Sequence, residues 1–322
     1  MYTKQQAIEL MNTWGRQRVP FLFIFDFECN NPLLYPLDSV PDSIYYSING
    51  ISNTPVDGKQ SPFSFEADPI DFTIYEKAFN QVIHELNYGN SYLLNLTFPT
   101  PLKTTLSLRD VFVRSTARYK LLIDSQFVVF SPESFVQIED GIISSYPMKG
   151  TIDASVPNAK EVLLNNPKEQ AEHATIVDLI RNDLSMVAAN VRVTNYRYVE
   201  EVKTFKKKLL QVSSKVEGVL PEKYTEHLGH IMFKLLPAGS ISGAPKKKTV
   251  EIIKENEPND RGYFTGIFGI FDGVKLDSGV MIRFIENIGG QLMFKSGGGI
   301  TAQSNARAEY QELIDKVYVP FI

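Results

Sequence analysis

The pair Asp140-Gly141 is the strongest local instruction in the sequence. It is a two-residue turn signal of the kind that needs a positive φ. On either side lie FVQI and IISSY, short runs rich in strand formers. The stretch from Ser131 to Thr151, SPESFVQIEDGIISSYPMKGT, therefore reads as a β-hairpin. Pairing outward from the turn sets Phe135 opposite Tyr146 and Glu133 opposite Met148, which brings Glu133 within about one residue of Lys149. A carboxylate and an amine held by a rigid ladder can form an acid/base and nucleophile pair. The same spacing also describes a salt bridge at a sheet edge, with the lysine blunting further pairing. Taken alone, the hairpin favours the salt bridge.

The remaining pattern builds a mixed fold. Asp71 is an N-cap for a helix running to about Asn87, with Ile74, Ala78, Val82 and Leu86 as its apolar stripe. Further helices are expected over about Thr3–Trp14, Leu106–Arg118, Asn158–Met186 (interrupted at Pro167), Lys223–Leu236, a stretch ending near Glu257, and Ser304–Tyr318. Strands are expected at PFLFIFDFE, SYLLNLTF, KLLIDSQFVVF, VRVTNYRYVE and LLQVSSKVEGVL, and they dominate from Gly262 to Ile300. The basic run Lys203–Lys208 reads as a solvated strand end. Strands come in adjacent antiparallel groups separated by helices, not in strict βαβ alternation. The expected class is α+β, a large antiparallel β-sheet sandwich with helices packed outside, in one domain over 1–322.

Composition narrows the function classes. With 43% hydrophobic and 22% charged residues, the 322-residue chain has an ordinary globular makeup. A net charge of −4 argues against a nucleic-acid binder held by phosphate contacts. A single cysteine, Cys29, allows no intrachain disulfide and suits a reducing cytoplasm. The N-terminus is amphipathic, not a signal peptide, and the longest apolar runs are strand-sized, so no membrane span is expected.

Three further constellations could carry chemistry. The stretch Gly239 to Thr249, GSISGAPKKKT, resembles a phosphate loop, but its spacing is not G-x-x-x-x-G-K-[ST] and Pro245 precedes Lys246. It reads as a connector whose amides could face an anion, with nucleotide binding a remote alternative. Gly297-Gly298-Gly299 can bring backbone amides close to a carboxylate in a nest-like turn. In the helix that follows, Glu309 and Glu312 share a face. Glu172 lies near the start of another helix, and the three carboxylates could assemble an oxygen site for Mg²⁺. The alternative for each is an ordinary solvated acidic face. His173, beside Glu172, reads as a core or capping histidine.

Together these pieces form an ordered set: SPESF, PMKGT, EHATIVDLIRNDL, GSISGAPKKKTVEII, YFTGIFG, MIRF and SGGGITAQSNARAEYQELIDK. In this order they resemble the chorismate-utilising enzymes, which include anthranilate synthase component I, isochorismate synthases and aminodeoxychorismate synthase component I. The resemblance covers about Phe72 to Val317. Lys149 stands where anthranilate synthases usually have alanine, as is typical of the aminodeoxychorismate (para-aminobenzoate, folate) branch. Leu93 stands about where isochorismate synthases carry a water-activating lysine and amine-using members usually carry glutamine. Gln211 stands where the family usually has histidine.

The resemblance implies roles for particular residues. Lys149 matches the nucleophile that attacks C2 of chorismate, and Glu133 matches the acid that protonates the departing C4 hydroxyl. Ammonia would enter at C4 and expel the lysine, giving 4-amino-4-deoxychorismate. Gly150, Thr151, Arg283 and Gly297, Gly298 and Gly299 match chorismate-binding positions, with Phe264 or the adjacent Tyr263 as an aromatic member. Glu172 and Glu312 match Mg²⁺ ligands, with Glu309 close by. The N-terminal segment, about 1–70, is short for the family and lacks the tryptophan motif, so no tryptophan feedback is expected. No glutamine-hydrolysing segment accompanies these motifs, so ammonia would come from a glutamine amidotransferase partner or from solution.

Overall fold

The computed structural model describes residues 2–54, 62–203 and 208–321. The middle of the basic run Lys203–Lys208 lies outside the described residues. The strand Phe21–Phe25 shows how the layers form. Phe21, Phe23 and Phe25 pack with the helix Lys4–Gln17 and the helix Leu228–Leu235. Leu22 and Ile24 point the other way, into a cluster with Ile44, Tyr46, Leu121 and Val129 from a second sheet. A strand buried on both faces needs a continuous apolar run, and FLFIF is one.

Two sheets carry the fold, with antiparallel pairing throughout their described ladders. In the first, the order is Met148–Asp153, Lys208–Val219, Ile142–Ser145, Ser134–Glu139, Leu276–Val280, Ile267–Phe271, Phe21–Phe25 and Leu33–Pro36, with Ala189–Lys203 also paired to Lys208–Val219. In the second, the order is Gly243–Ala244, Leu93–Thr104, Gln291–Ile300, Phe284–Ile288, Phe127–Ser131, Tyr119–Ile123, Ile44–Ile48 and Ile51–Ser52, with Phe65–Ala67 on Leu93–Thr104. The helix Leu108–Arg114 covers the outer face of the second sheet. This is the expected α+β sandwich with helices outside.

Local expectations hold unevenly. Asp71 caps the helix Phe72–Asn87, accepting from Thr73 N–H at 2.7 Å. Ile74 is not on its buried stripe; it is 57% exposed, and Tyr75 and Phe79 take the core positions with Ala78, Val82 and Leu86. The larger aromatic pair rotates the buried face by one residue. The Asp140-Gly141 turn has both φ values positive, 50° and 76°. Its ladder runs Ile142↔Glu139, Ile143↔Ile138, Ser144↔Gln137, which is the expected register. It then stops. Pro147 has no N–H to donate, and its carbonyl accepts from Ser214 N–H at 3.0 Å. Met148–Asp153 consequently pairs with Lys208–Val219, with Met148 opposite Ser213, and Glu133 is not opposite Met148.

Candidate active site

The chain passes from the second sheet to the first at Pro132-Glu133, between the strands Phe127–Ser131 and Ser134–Glu139. It passes back at Met281–Arg283, between Leu276–Val280 and Phe284–Ile288. The two crossings are tied together. Val280 N–H donates to the Glu133 carbonyl at 3.1 Å, and Phe130 N–H donates to the Arg283 carbonyl at 3.0 Å. Arg283 has φ 51°, a left-handed conformation uncommon for a residue with a Cβ. Beside these crossings opens a cavity of about 770 Å³, within the size range of small-molecule sites. Glu133, Lys149, Glu172, Arg283 and Lys316 line it.

Lys149 and Glu133 share this cavity but are not each other's ion-pair partner. Lys149 Nζ lies 2.9 Å from Glu172 Oε2. Burial pushes the amine down, but Glu172 outweighs it, with Glu312 and Glu169 adding, and the group sits above its ordinary value. Glu133 Oε1 accepts from Ser240 Oγ at 2.7 Å. Burial holds its carboxyl above the usual range, and the Ser240 hydroxyl, Lys316 and Arg283 offset this in part. Glu133 is thus biased toward its protonated form, the state a general acid requires. The hairpin-edge salt bridge does not form.

The other expected site residues divide. Arg283, Gly297, Gly299 and Phe264 line the cavity, as do Leu93 and Gln211. Tyr263 does not: its hydroxyl donates to the Asn31 carbonyl at 2.9 Å. Gly150 (φ 89°) packs against Glu169, and Thr151 is exposed and paired with Gln211; neither lines the cavity. Gly297, Gly298 and Gly299 form no nest-like turn. They lie in the strand Gln291–Ile300, opposite Thr97, Leu96 and Asn95. A Cβ on Gly297 would stand 2.4 Å from the Leu96 carbonyl oxygen, so close strand approach requires glycine there. His173 is buried and bonded to Ser214 Oγ at 2.7 Å, a core histidine as read. In the glycine-rich connector Lys246 Nζ contacts Asp183 at 2.9 Å and the Leu235 carbonyl at 2.7 Å, so that lysine serves internal partners and not an anion loop.

The chorismate binding enzyme family matches residues 40–321. A Haemophilus influenzae protein named "Uncharacterized PabA-like protein" is 52% identical over 99% of this chain and 97% of its own length. Aminodeoxychorismate synthase component 1 of Salmonella typhimurium is 35% identical over 76% of this chain and 56% of its own length. The menaquinone-specific isochorismate synthase MenF of Escherichia coli superposes with a TM-score of 0.73 at 15% identity, covering 98% of this chain and 81% of that one. This chain belongs to the chorismate-binding enzyme family.

In this member of the family two of the three carboxylates pair with lysines, Glu172 with Lys149 and Glu312 with Lys316. Glu312 pairs with Lys316 at 2.7 Å, and Lys316 Nζ also donates to the Gly297 carbonyl at 2.8 Å. Glu309 is buried and accepts from Ser304 Oγ at 2.8 Å. Glu309 Oε2 and Glu312 Oε1 both face Gly298, 3.4 and 3.9 Å from where a Cβ would sit. Among the described residues, no three acidic, histidine or cysteine side chains converge tightly enough to hold a metal as they stand. The donor chemistry nevertheless fits Mg²⁺: Glu172, Glu309 and Glu312 offer hard carboxylate oxygens, and Lys149 and Lys316 now balance the charge of Glu172 and Glu312. Ser240 and Lys316 are site residues that motif reading did not single out. Their signals were present, a hydroxyl in GSISG and a lysine four residues after Glu312.

Proposed function

We propose that the chain aminates chorismate at C4, forming 4-amino-4-deoxychorismate. The observation that carries this reading is Lys149 and Glu133 in one cavity, with apolar Leu93 in its wall. The likeness to a relative named aminodeoxychorismate synthase component 1 supports it. Lys149 attacks C2 as Glu133 gives its proton to the departing C4 hydroxyl, which leaves as water. Ammonia then bonds at C4 and the C2–lysine bond breaks. Arg283 offers a substrate carboxylate its planar fork. Glu172, Glu309 and Glu312 would hold Mg²⁺, which when bound supplies positive charge beside a substrate carboxylate. Lys149 must lose its proton, and with it the pairing to Glu172, before it can act as a nucleophile.

Ammonia comes from a separate glutamine amidotransferase partner or from solution. The test incubates purified protein with chorismate, Mg²⁺ and ammonium and identifies the product by mass spectrometry. The expected product is 4-amino-4-deoxychorismate; anthranilate or isochorismate in its place refutes the reading.

A further inference from the structure

Arg261 lies outside the cavity and belongs to no step of the reaction. It is 5% exposed, with its guanidinium 4.7 Å from the ring centre of Phe27. A guanidinium has five N–H donors, and here five hydrogen bonds account for them. Nε and Nη2 grip the two oxygens of Glu257 at 2.9 and 2.6 Å. Nη1 donates to the Ile241 carbonyl at 2.9 Å and to Thr265 Oγ1 at 3.2 Å. Nη2 also donates to the Asn95 carbonyl at 2.6 Å.

Asn95, Ile241 and Thr265 all line the cavity, and they belong to three separate segments. Asn95 is on the strand Leu93–Thr104 of the second sheet. Ile241 is in the short turn Gly239–Ser242, next to the Ser240 whose hydroxyl holds Glu133. Thr265 (φ 61°) precedes the strand Ile267–Phe271 of the first sheet. Glu257 fixes the guanidinium in turn, accepting Thr97 N–H at 2.8 Å and Thr97 Oγ1 at 2.9 Å. A buried ion pair whose remaining donors all reach the walls of a ligand cavity is poorly explained as a source of stability, since apolar packing serves that as well.

We propose that Arg261, locked by Glu257, is a positioning residue that holds three walls of the chorismate cavity in register and, through the Gly239–Ser242 turn, sets Ser240 on Glu133. The proposal rests on the amination reading only for the choice of reaction. Lysine cannot replace the fork, because its three donors radiate from one nitrogen.

The test compares wild type, Arg261→Lys and the control Lys120→Met. Lys120 is equally buried, donating to the Phe112 and Ser115 carbonyls, but lies outside the cavity. Chorismate consumption is followed by its ultraviolet absorbance, and thermal midpoints are recorded alongside. Arg261→Lys is expected to lower kcat about tenfold or more, with the KM for chorismate within about threefold, since Arg283 is untouched. Lys120→Met is expected to lower the midpoint while keeping kcat. Unchanged kcat in Arg261→Lys, or an equal loss in Lys120→Met, overturns the proposal. Should Arg261→Lys fail to fold, Glu257→Gln leaves the wall contacts their donors and carries the same comparison. If wild type consumes chorismate without aminating it, the amination reading fails, while the ratio of consumption rates still decides the role of Arg261.

Discussion

Removing the hydroxyl at Ser240 tests the acid in isolation from the nucleophile. Ser240 Oγ donates to Glu133 Oε1 at 2.7 Å, and it stabilises the carboxylate against the neutral acid. A hydrogen bond to a charged group contributes about 1.5–3 kcal/mol. Glu133 lines the cavity and its charged form is also stabilised by Lys316 and Arg283, which selects the low end. At about 1.4 kcal/mol per factor of ten, Ser240→Ala should raise the ratio of protonated to ionised Glu133 roughly tenfold at a given pH. The sign follows from chemistry. A general acid works when protonated, so activity falls as pH rises through the titration of Glu133. Burial already holds that titration high, and losing the donor moves it higher. The alkaline limb of kcat/KM for chorismate consumption should therefore shift to higher pH in Ser240→Ala and stay in place in Ser240→Thr, which keeps a hydroxyl. A limb that does not move in the alanine variant, or moves equally in both, would refute the assignment of Glu133 as the acid tuned by Ser240.

Four other outcomes follow from particular contacts. Lys149→Ala should lose a covalent chorismate adduct detectable by intact-protein mass spectrometry, along with nearly all amination; full activity in that variant would exclude the covalent route. Tyr263→Phe should leave turnover nearly unchanged and lower stability by about 1 kcal/mol, because the hydroxyl donates to the Asn31 carbonyl and not to the cavity. Phe264→Ala, by contrast, removes a ring that is 3% exposed and should cost about 3–5 kcal/mol in denaturant unfolding while also weakening chorismate binding. Gly243 has φ 130°, and a Cβ there would lie 1.8 Å from the Leu93 carbonyl oxygen, so Gly243→Ala should lower the thermal midpoint sharply; a wild-type midpoint would show that this close approach to the Leu93 carbonyl is not what requires glycine.

What could be read from the sequence depended on how far each residue's partner lay along the chain. The Asp140-Gly141 turn is a local matter of φ, and both it and the register next to it follow from two residues. The ladder stops at Pro147, which has no N–H to donate, but where the chain goes next is not local: Met148–Asp153 finds Lys208–Val219, a pairing that no hairpin rule contains. Lys149 was recognisable as a site residue from its motif, but its resting partner, Glu172, comes from the helix Pro167–Ser185. Tyr263 and Phe264 are neighbours that pack into the same apolar cluster, yet Phe264 lines the cavity while the Tyr263 hydroxyl reaches the Asn31 carbonyl, a distinction carried by backbone torsion and not by residue type. The three glycines looked like a turn because glycine permits one. In fact they lie in a strand, where Gly297 lets Leu93–Thr104 approach closely and Gly298 faces Glu309 and Glu312.

The cavity's chemistry collects where ladders are interrupted. Within a regular strand, side chains alternate between one face and the other, and in a sandwich covered by helices both faces are apolar. A charged group there needs internal partners, as Lys120 has in the Phe112 and Ser115 carbonyls. Glu133 lies on the crossing from the second sheet to the first, and Arg283 lies on the crossing back. Lys149 falls within the irregularity between Met148 and Thr151, where the pairing with Lys208–Val219 slips register. An irregularity of this kind re-aims a side chain away from strict alternation. The two crossings are hydrogen-bonded to each other, so acid and guanidinium cannot drift independently. Glu133, Arg283 and Lys149 thus all lie at interruptions of the ladders. The longest continuous ladder beside the cavity, between Gln291–Ile300 and Leu93–Thr104, contributes glycines and Leu93 to the wall, while its one charged cavity residue, Lys295, turns its amine back to Glu286 and the Arg261 carbonyl.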